Sequence, residues 1–445
     1  MLEYLRTRSV KDYVLDGISA LVAILFVFAA GGFVSPQSGT LMAGNTLLTI
    51  AMITREALRV LENNLTFTKQ VNRQFDDKFG VDGAKIGTVV NVRKPPRYVT
   101  RTGQALDLQD ATESQVPVTL DTQAGVDLAF TSQDLALSID DFSERFINPA
   151  IAAVANRIDA TGLALYKSIY QTVGTAGAAP STLLTYLLAG VKLNDSAAPM
   201  DGQRSLVITP LMEATIVNAL TGLFHQSTQI AEQYLKGQMG RAAGFVWYMD
   251  QNVSTHTWGT QGGSPAIDGV PSEGATSLLI KAFSNSITNC VRQGDVFTLP
   301  LVYGVNPQSR QSTGALQQFV SLSDVDSSGS GALTIQCSPA LVTSGAGQTI
   351  TNMPADSALL TFLGTTAQAS PQGLAMHKDA FTLVTADLPL PRGVDMAARV
   401  SDKQLGISIR MVRAYDINLD RFPCRLDILF GWSVLRAELA CRIQA

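Results

Sequence analysis

Residues 148–172, NPAIAAVANRIDATGLALYKSIYQT, place the tightest limit on how this chain folds. Ile147, Ile151, Val154, Ile158, Leu165 and Ile169, with Gly162 in the same series, recur at steps of three and four. That spacing sets them on one face of a helix. Asn148 is a favourable N-cap, and Pro149 fits the first helical position, where a missing N–H costs nothing. Asp140, Asp141 and Glu144 lie just upstream and favour the positive end of a helix dipole. Such a helix would be roughly 36 Å long, a strut for a flat molecule. Periodicity alone favours an ordinary buried core helix.

On the N-terminal side, residues 49–63 carry Ile53, Ala57, Val60 and Leu61 at helical spacing. Residues 87–93 (GTVVNVR) are β-branched and strand-like, and Pro95–Pro96 prevents a central strand from continuing. Residues 116–120 and 126–130 read as the returning strands. The arm between them is poor in large apolar residues. Arg93, Lys94, Arg97 and Arg101 crowd its outgoing side, and Asp107, Asp110 and Glu113 its tip and return. As a solvated hairpin these charges would contribute little. As an arm reaching another subunit they would be its intersubunit contacts.

On the C-terminal side a Gly/Ala/Pro linker (175–180) leads to a buried strand at 205–208. Thr209–Pro210 then starts a helix carrying Met212, Ile216, Val217 and Leu220. Gly237, Gly240 and Gly244 lack the GK[ST] of a phosphate loop and read as turns before a strand at 245–249. From 259 to 352 the composition shifts to Gly, Ser, Thr, Asn and Gln. Short strand signals recur there at 277–282, 295–299, 301–305, 317–322 and 333–337. This pattern predicts a small antiparallel barrel or sandwich inserted into the surrounding chain and able to fold alone. Strands at 381–386, 406–412 and 425–435, the last broken by Gly431, complete an α+β chain.

The chain is 46% hydrophobic and only 16% charged, low for a soluble monomer. Apolar surface covered by partner subunits explains that, as does a membrane segment. A net charge of −4 argues against a nucleic-acid condenser. Four scattered cysteines offer neither a zinc site nor a disulfide framework and suit a reducing cytoplasm. No Walker loop, HExxH, CxxC or nucleophile elbow occurs. His225, His256 and His377 are far apart and read as surface or satisfied polar residues. Asp76–Asp77 and Asp140–Asp141 fit loops and helix starts. No catalytic, metal or cofactor residue is nominated.

Residues 18–34 form an uncharged apolar run behind Arg6, Arg8 and Lys11. Residues 1–41 therefore read as a start-site artefact, a signal peptide or an anchor.

The stretches NTLLTIAMITREALRVLENN from Asn45, GDVFTLPLVYGVNPQSRQSTGALQQFV from Gly294, GLAMHKDAFTLVTADLPLP from Gly373, GISIRMVRAYDI from Gly406 and CRLDILFGWSVLRAELACRI from Cys424 carry a resemblance. Residues 42–445 resemble the major capsid (coat) proteins of tailed bacteriophages, in the podophage-type branch with an inserted β-barrel domain. The resemblance implies the α+β tailed-phage capsid fold and no enzymatic activity. It makes 42–86 an N-terminal arm, 87–130 an extended hairpin loop and 131–180 a peripheral domain with the spine helix. Residues 181–258 and 353–391 become an axial domain interrupted by the insert at 259–352, and 392–445 the β-rich end of the peripheral domain. It further implies hexamers and pentamers of this chain in an icosahedral head, assembled in the bacterial cytoplasm. A scaffolding protein, a portal and nonspecific contact with packaged double-stranded DNA belong to the same implication, with no cofactor. A membrane-anchored or secreted surface protein, and a hydrolase without a recognisable motif, are the other classes. Because the resemblance begins at Met42, functional protein is expected to start there; the intact mass of native subunits checks this, and a subunit retaining residues 1–41 would revive the anchor.

Overall fold

A computed structural model of the chain describes residues 58–59, 61, 65–73, 89–101, 103–106, 108, 114–131, 148–220, 240–402 and 407–445. In chain order these residues form β1 (Val89–Arg93), β2 (Gln115–Thr119), β3 (Thr122–Thr131), α1 (Asn148–Leu163), β4 (Thr172–Gly174), α2 (Leu183–Asp195), β5 (Arg204–Ile208), α3 (Pro210–Leu220), β6 (Arg241–Ala242), β7 (Phe245–Met249) and β8 (Thr255–Thr257). There follow β9 (Gly263–Ile267), β10 (Ala275–Phe283), β11 (Val296–Val305), β12 (Ser312–Ser321), β13 (Leu333–Leu341) and β14 (Thr361–Phe362). The chain ends with β15 (Ala369–His377), β16 (Phe381–Ala386), β17 (Met396–Asp402), β18 (Ile407–Arg413), β19 (Arg421–Val434) and β20 (Ala440–Gln444).

The central helix is shorter than its periodicity predicts. α1 buries Ile151, Val154 and Ile158 as expected. It stops at Leu163, a 3-10 turn runs Ala164–Ser168, and Ile169 is extended. At 16 residues it spans about 24 Å, not 36 Å. Tertiary pairing takes the remainder: Thr172–Gly174 lies parallel to Arg442–Gln444. The capping bond expected of Asn148 is not made, since its Oδ1 has no hydrogen-bond partner. Gly162 lets α1 close on aromatic rings, because a Cβ there would stand 2.7 Å from both Phe67 and Trp432. Asp159, one turn earlier, is buried and accepts from Thr66 N at 2.7 Å and Thr68 N at 3.0 Å. Burial pushes its carboxyl up against those bonds. One buried carboxylate thus fixes the segment 65–70 to the helix.

α1 packs against β3 and β19, which belong to the second of two sheets. The body sheet runs β4-β20-β15-β5-β7-β6, with β8 beside β15. The second runs β16-β19-β18-β17, with β3 along β19. One apolar core joins them to Tyr186, Ala189 and Leu193 of α2 and Met212 and Ile216 of α3. Thr209 caps α3 as predicted, its Oγ1 accepting from Met212 N at 3.2 Å. Gly431 does not break β19, which runs through it for 14 residues. The glycine is there for closeness: a Cβ would stand 2.1 Å from Thr119 O at the end of β2.

The sheet β14-β11-β12-β13-β10-β9 has a core of its own, including Ile267, Ile280, Phe297, Phe319, Ile335 and Leu360. Ile267 N donates to Ala358 O at 3.0 Å and Leu360 N to Pro265 O at 2.8 Å. These bonds join β9 to the chain entering β14, so the hydrogen-bonded path returns on itself. The strands expected at 295–299 and 301–305 are one strand, β11. Its register shifts between Thr298 and Tyr303, where Pro300 has no donor and Leu301 has φ +64°. The sheet also runs past residue 352, through Leu360 to Phe362.

A fragment of residues 259–366 is expected to melt cooperatively with dispersed amide resonances. One stopped at 352 loses Leu360 and Phe362 from its core and should be less stable by about 2–5 kcal/mol. A disordered longer fragment would refute independent folding.

Candidate intersubunit surface

The arm is rooted before its charges begin. Arg93 of β1 lies opposite Gln115 of β2, and Lys94 N donates to Ser114 O at 2.8 Å. Val90, Val92 and Val118 pack with Val384 and Leu435, which ties the root to the second sheet. Pro95–Pro96 then ends the ladder for want of N–H donors.

The structure gathers two of the four arm cations around one carboxylate of the same chain. Arg97 Nη2 donates to Glu438 Oε1 at 2.7 Å, and Arg436 Nε donates to the same oxygen at 3.1 Å. Lys94 stands beside them: burial pushes its ammonium down, Arg436 and Arg97 push the same way, and Glu438 opposes. Burial works to raise the Glu438 carboxyl, but its own backbone N–H, Arg97 and Arg436 hold it below the usual range. Arg101 donates locally to Gly103 O, and Arg93 is exposed on β1. Asp107, Asp110 and Glu113 lie outside the described residues. Glu438 is the member that sequence reading does not single out. It lies 341 residues from Arg97, and no local pattern marks a pairing of that range. A cleft of about 420 Å³ opens beside this cluster, lined among others by Lys94, Arg97, Tyr170, Lys192, Asp195 and Glu438.

A second polar cluster lies in the seam between the body sheet and the β9–β14 sheet. His256 is buried on β8. Its Nε2 meets Asp295 Oδ1 at 2.8 Å, and its Nδ1 meets the Tyr166 hydroxyl at 3.2 Å. A carboxylate only accepts, so Nε2–H donates to Asp295 and the neutral ring accepts from Tyr166 O–H. Burial supports both assignments, since it pushes the imidazole down and the Tyr166 hydroxyl up to about 12. Asp295 Oδ2 also accepts from Gly259 N and Arg292 N at 3.1 and 2.9 Å. Arg442 is fully buried, and burial pushes its guanidinium down to about 10. It sits 5.7 Å from the Tyr166 ring centroid and interacts through space with Asp295, with no hydrogen bond from Nε, Nη1 or Nη2. Gln318 of β12 completes the seam, accepting from Thr172 N at 2.8 Å and donating to Thr172 O at 3.0 Å.

The Tyr–His–Asp order evokes acid–base catalysis, yet Tyr166, His256 and Asp295 are at most 2% exposed. No substrate reaches them as they stand, so the trio acts as a fastening. Among the described residues no group of three or more His, Cys, Asp or Glu is placed to hold a metal, and no helix is long and apolar enough to cross a membrane.

The family described as P22 coat protein, gene protein 5, matches residues 42–442. Among solved structures, the capsid of Ralstonia phage GP4 aligns at 9% identity and a TM-score of 0.44, covering 85% of this chain and 88% of the other. A protein of Mycobacterium phage Che8 aligns at 12% identity and 0.43, covering 85% and 90%. The CUS-3 coat protein I-domain aligns at 22% identity and 0.17, covering 22% of this chain and 95% of its own. No curated protein sequence matches the chain.

The seam predicts an acid response. The His256 imidazole is lowered in the folded chain, first by burial, so the unfolded chain binds the proton more readily. Stability from this group is complete above the usual imidazole value near 6.5 and is lost as pH falls below it. Asp159 and Asp250, whose carboxyls burial pushes up, act in the opposite sense. The readout is therefore the difference between wild type and His256→Gln in melting temperature from pH 7.5 to 5. Wild type should fall more steeply below about pH 6.5; parallel curves would exclude His256 as the titrating group.

Proposed function

The chain belongs to the P22 coat protein family, and from that premise we propose that it is the coat subunit of an icosahedral phage head. It assembles into hexamers and pentamers of one chain around double-stranded DNA. The observation that carries this reading is the family match across residues 42–442, about nine tenths of the chain. The composition supports it: 46% hydrophobic and 16% charged residues suit a surface that other copies cover. Contact with DNA is nonspecific, at the inner wall, in keeping with a net charge of −4. Scaffolding and portal proteins are the assembly partners, in the host cytoplasm. The subunit is structural and performs no catalysis.

In this reading the arm lies on a neighbouring subunit and pairs charges there. Arg93, Lys94, Arg97 and Arg101 form its basic flank, and Asp107, Asp110 and Glu113 its acidic half. Glu438 divides the basic flank by role. Arg97 and Lys94 gather at that carboxylate and anchor the root, whereas Arg101 lies further out on the arm. One exposed pair contributes about 0–1 kcal/mol, a small term that a closed symmetric shell repeats at every interface.

Arg101→Glu is accordingly expected to leave the monomer's melting temperature within about 1 °C and to reduce the yield of shells, with high salt weakening wild-type assembly in the same direction. Arg97→Glu is the less selective probe, because it sets a second carboxylate against Glu438 in its own chain. Normal shells at normal yield from Arg101→Glu would remove the arm's charge from the assembly contact.

A further inference from the structure

α2 is apolar on both sides. Its inner face buries Tyr186, Ala189 and Leu193. Its outer face carries Leu184, Leu187, Leu188 and Val191, which are 62%, 43%, 45% and 47% exposed. The steps 184, 187, 188, 191 form one continuous stripe along the helix. A helix that is apolar all round is ordinarily enclosed on all sides. Here the core encloses only one.

We propose that the α2 stripe is a contact face for a second copy of this chain. Three observations bear on that occupant. No charged residue interrupts the helix from Leu183 to Val191, so the stripe offers nothing to a phosphate backbone or an acidic partner. The four residues expose roughly 340 Å², within the range of the largest apolar patch on an ordinary monomer and too little for a stable interface by itself. The stripe must then be part of a wider face, and α2 shows where it continues. Lys192 and Asp195, at its C-terminal end, line the same cleft as Lys94 and Arg97 of the arm root. A neighbour covering the stripe would extend across the arm root, so apolar and charged contacts fall to one partner. This inference rests on the coat-subunit reading, in which every subunit of a repeating shell has other copies as its lateral neighbours.

The four native cysteines are all buried, which allows a clean probe. Leu188→Cys in the full-length chain introduces one exposed thiol. Its alkylation should slow by about tenfold or more on passing from monomer to assembled particle. A benzophenone maleimide attached at that thiol and photolysed in particles should yield covalent dimers whose cross-linked peptides both come from this chain. Equal alkylation in monomer and particle, a cross-link within one chain, or a cross-link to a different protein would overturn the proposal. A second variant, Leu187→Glu with Leu188→Glu, should keep the circular dichroism of the wild-type monomer and fail to form particles, while Leu187→Met forms them normally. Normal particles from the double variant would also overturn it. If wild-type chain forms no particles under any assembly condition, the coat-subunit reading fails instead, a result distinguishable from a stripe left bare in intact shells.

Discussion

Buried charge at the seam between the two parts of the described chain decides much of the architecture. Asp295 brings a carboxylate into a dry contact, where three donors meet it, His256 Nε2, Gly259 N and Arg292 N, and the Arg442 guanidinium attracts it through space without a hydrogen bond. Placing opposite charges out of water is unfavourable unless their geometry is kept, and removing one leaves the other uncompensated. The elements that supply these groups are therefore held together: β8 for His256, β20 for Arg442, and the turn before β11 for Asp295. Tyr166 must point its ring at Arg442 and its hydroxyl at His256. Thr172 must offer both backbone groups to Gln318. These two requirements coincide with the end of α1 and the start of β4.

A seam fixed in this way leaves the chain's exposed surfaces free for contacts elsewhere. The root of the arm is fastened twice, by the Val90–Val118–Leu435 cluster and by Glu438. Arg101, further along the chain from that root, is exposed. The α2 stripe turns outward beside the same cleft. A chain with 46% hydrophobic residues that leaves whole leucines bare is suited to being one tile among many.

The sequence displays well the features that depend on neighbours along the chain. The inward face of α1, the Thr209 cap, the β1 strand before Pro95–Pro96 and β16 at 381–386 follow from local spacing and turn chemistry. Features set by distant partners leave no local trace. Leu165 and Ile169 continue the helical period, so the end of α1 is set by a sheet formed with residues 442–444. Gly431 resembles a strand breaker, and its purpose, the passage of Thr119, lies 312 residues away by the numbering. Pro300 divides one strand into two apparent ones because a bulge and a strand end use the same residue type. Among the candidate contact residues the basic flank is visible as a run of charge, but its anchor Glu438 is an ordinary acidic residue in its own surroundings. His256 fits the expected satisfied polar residue, with partners 39 and 90 positions away.

Electron microscopy of the expressed full-length chain tests the central claim most directly. The account predicts closed shells of uniform diameter whose repeating density is this one chain, with the arm and α2 lying between copies. A chain that stays monomeric and monodisperse across assembly conditions, or that fractionates with membranes without forming particles, would contradict it.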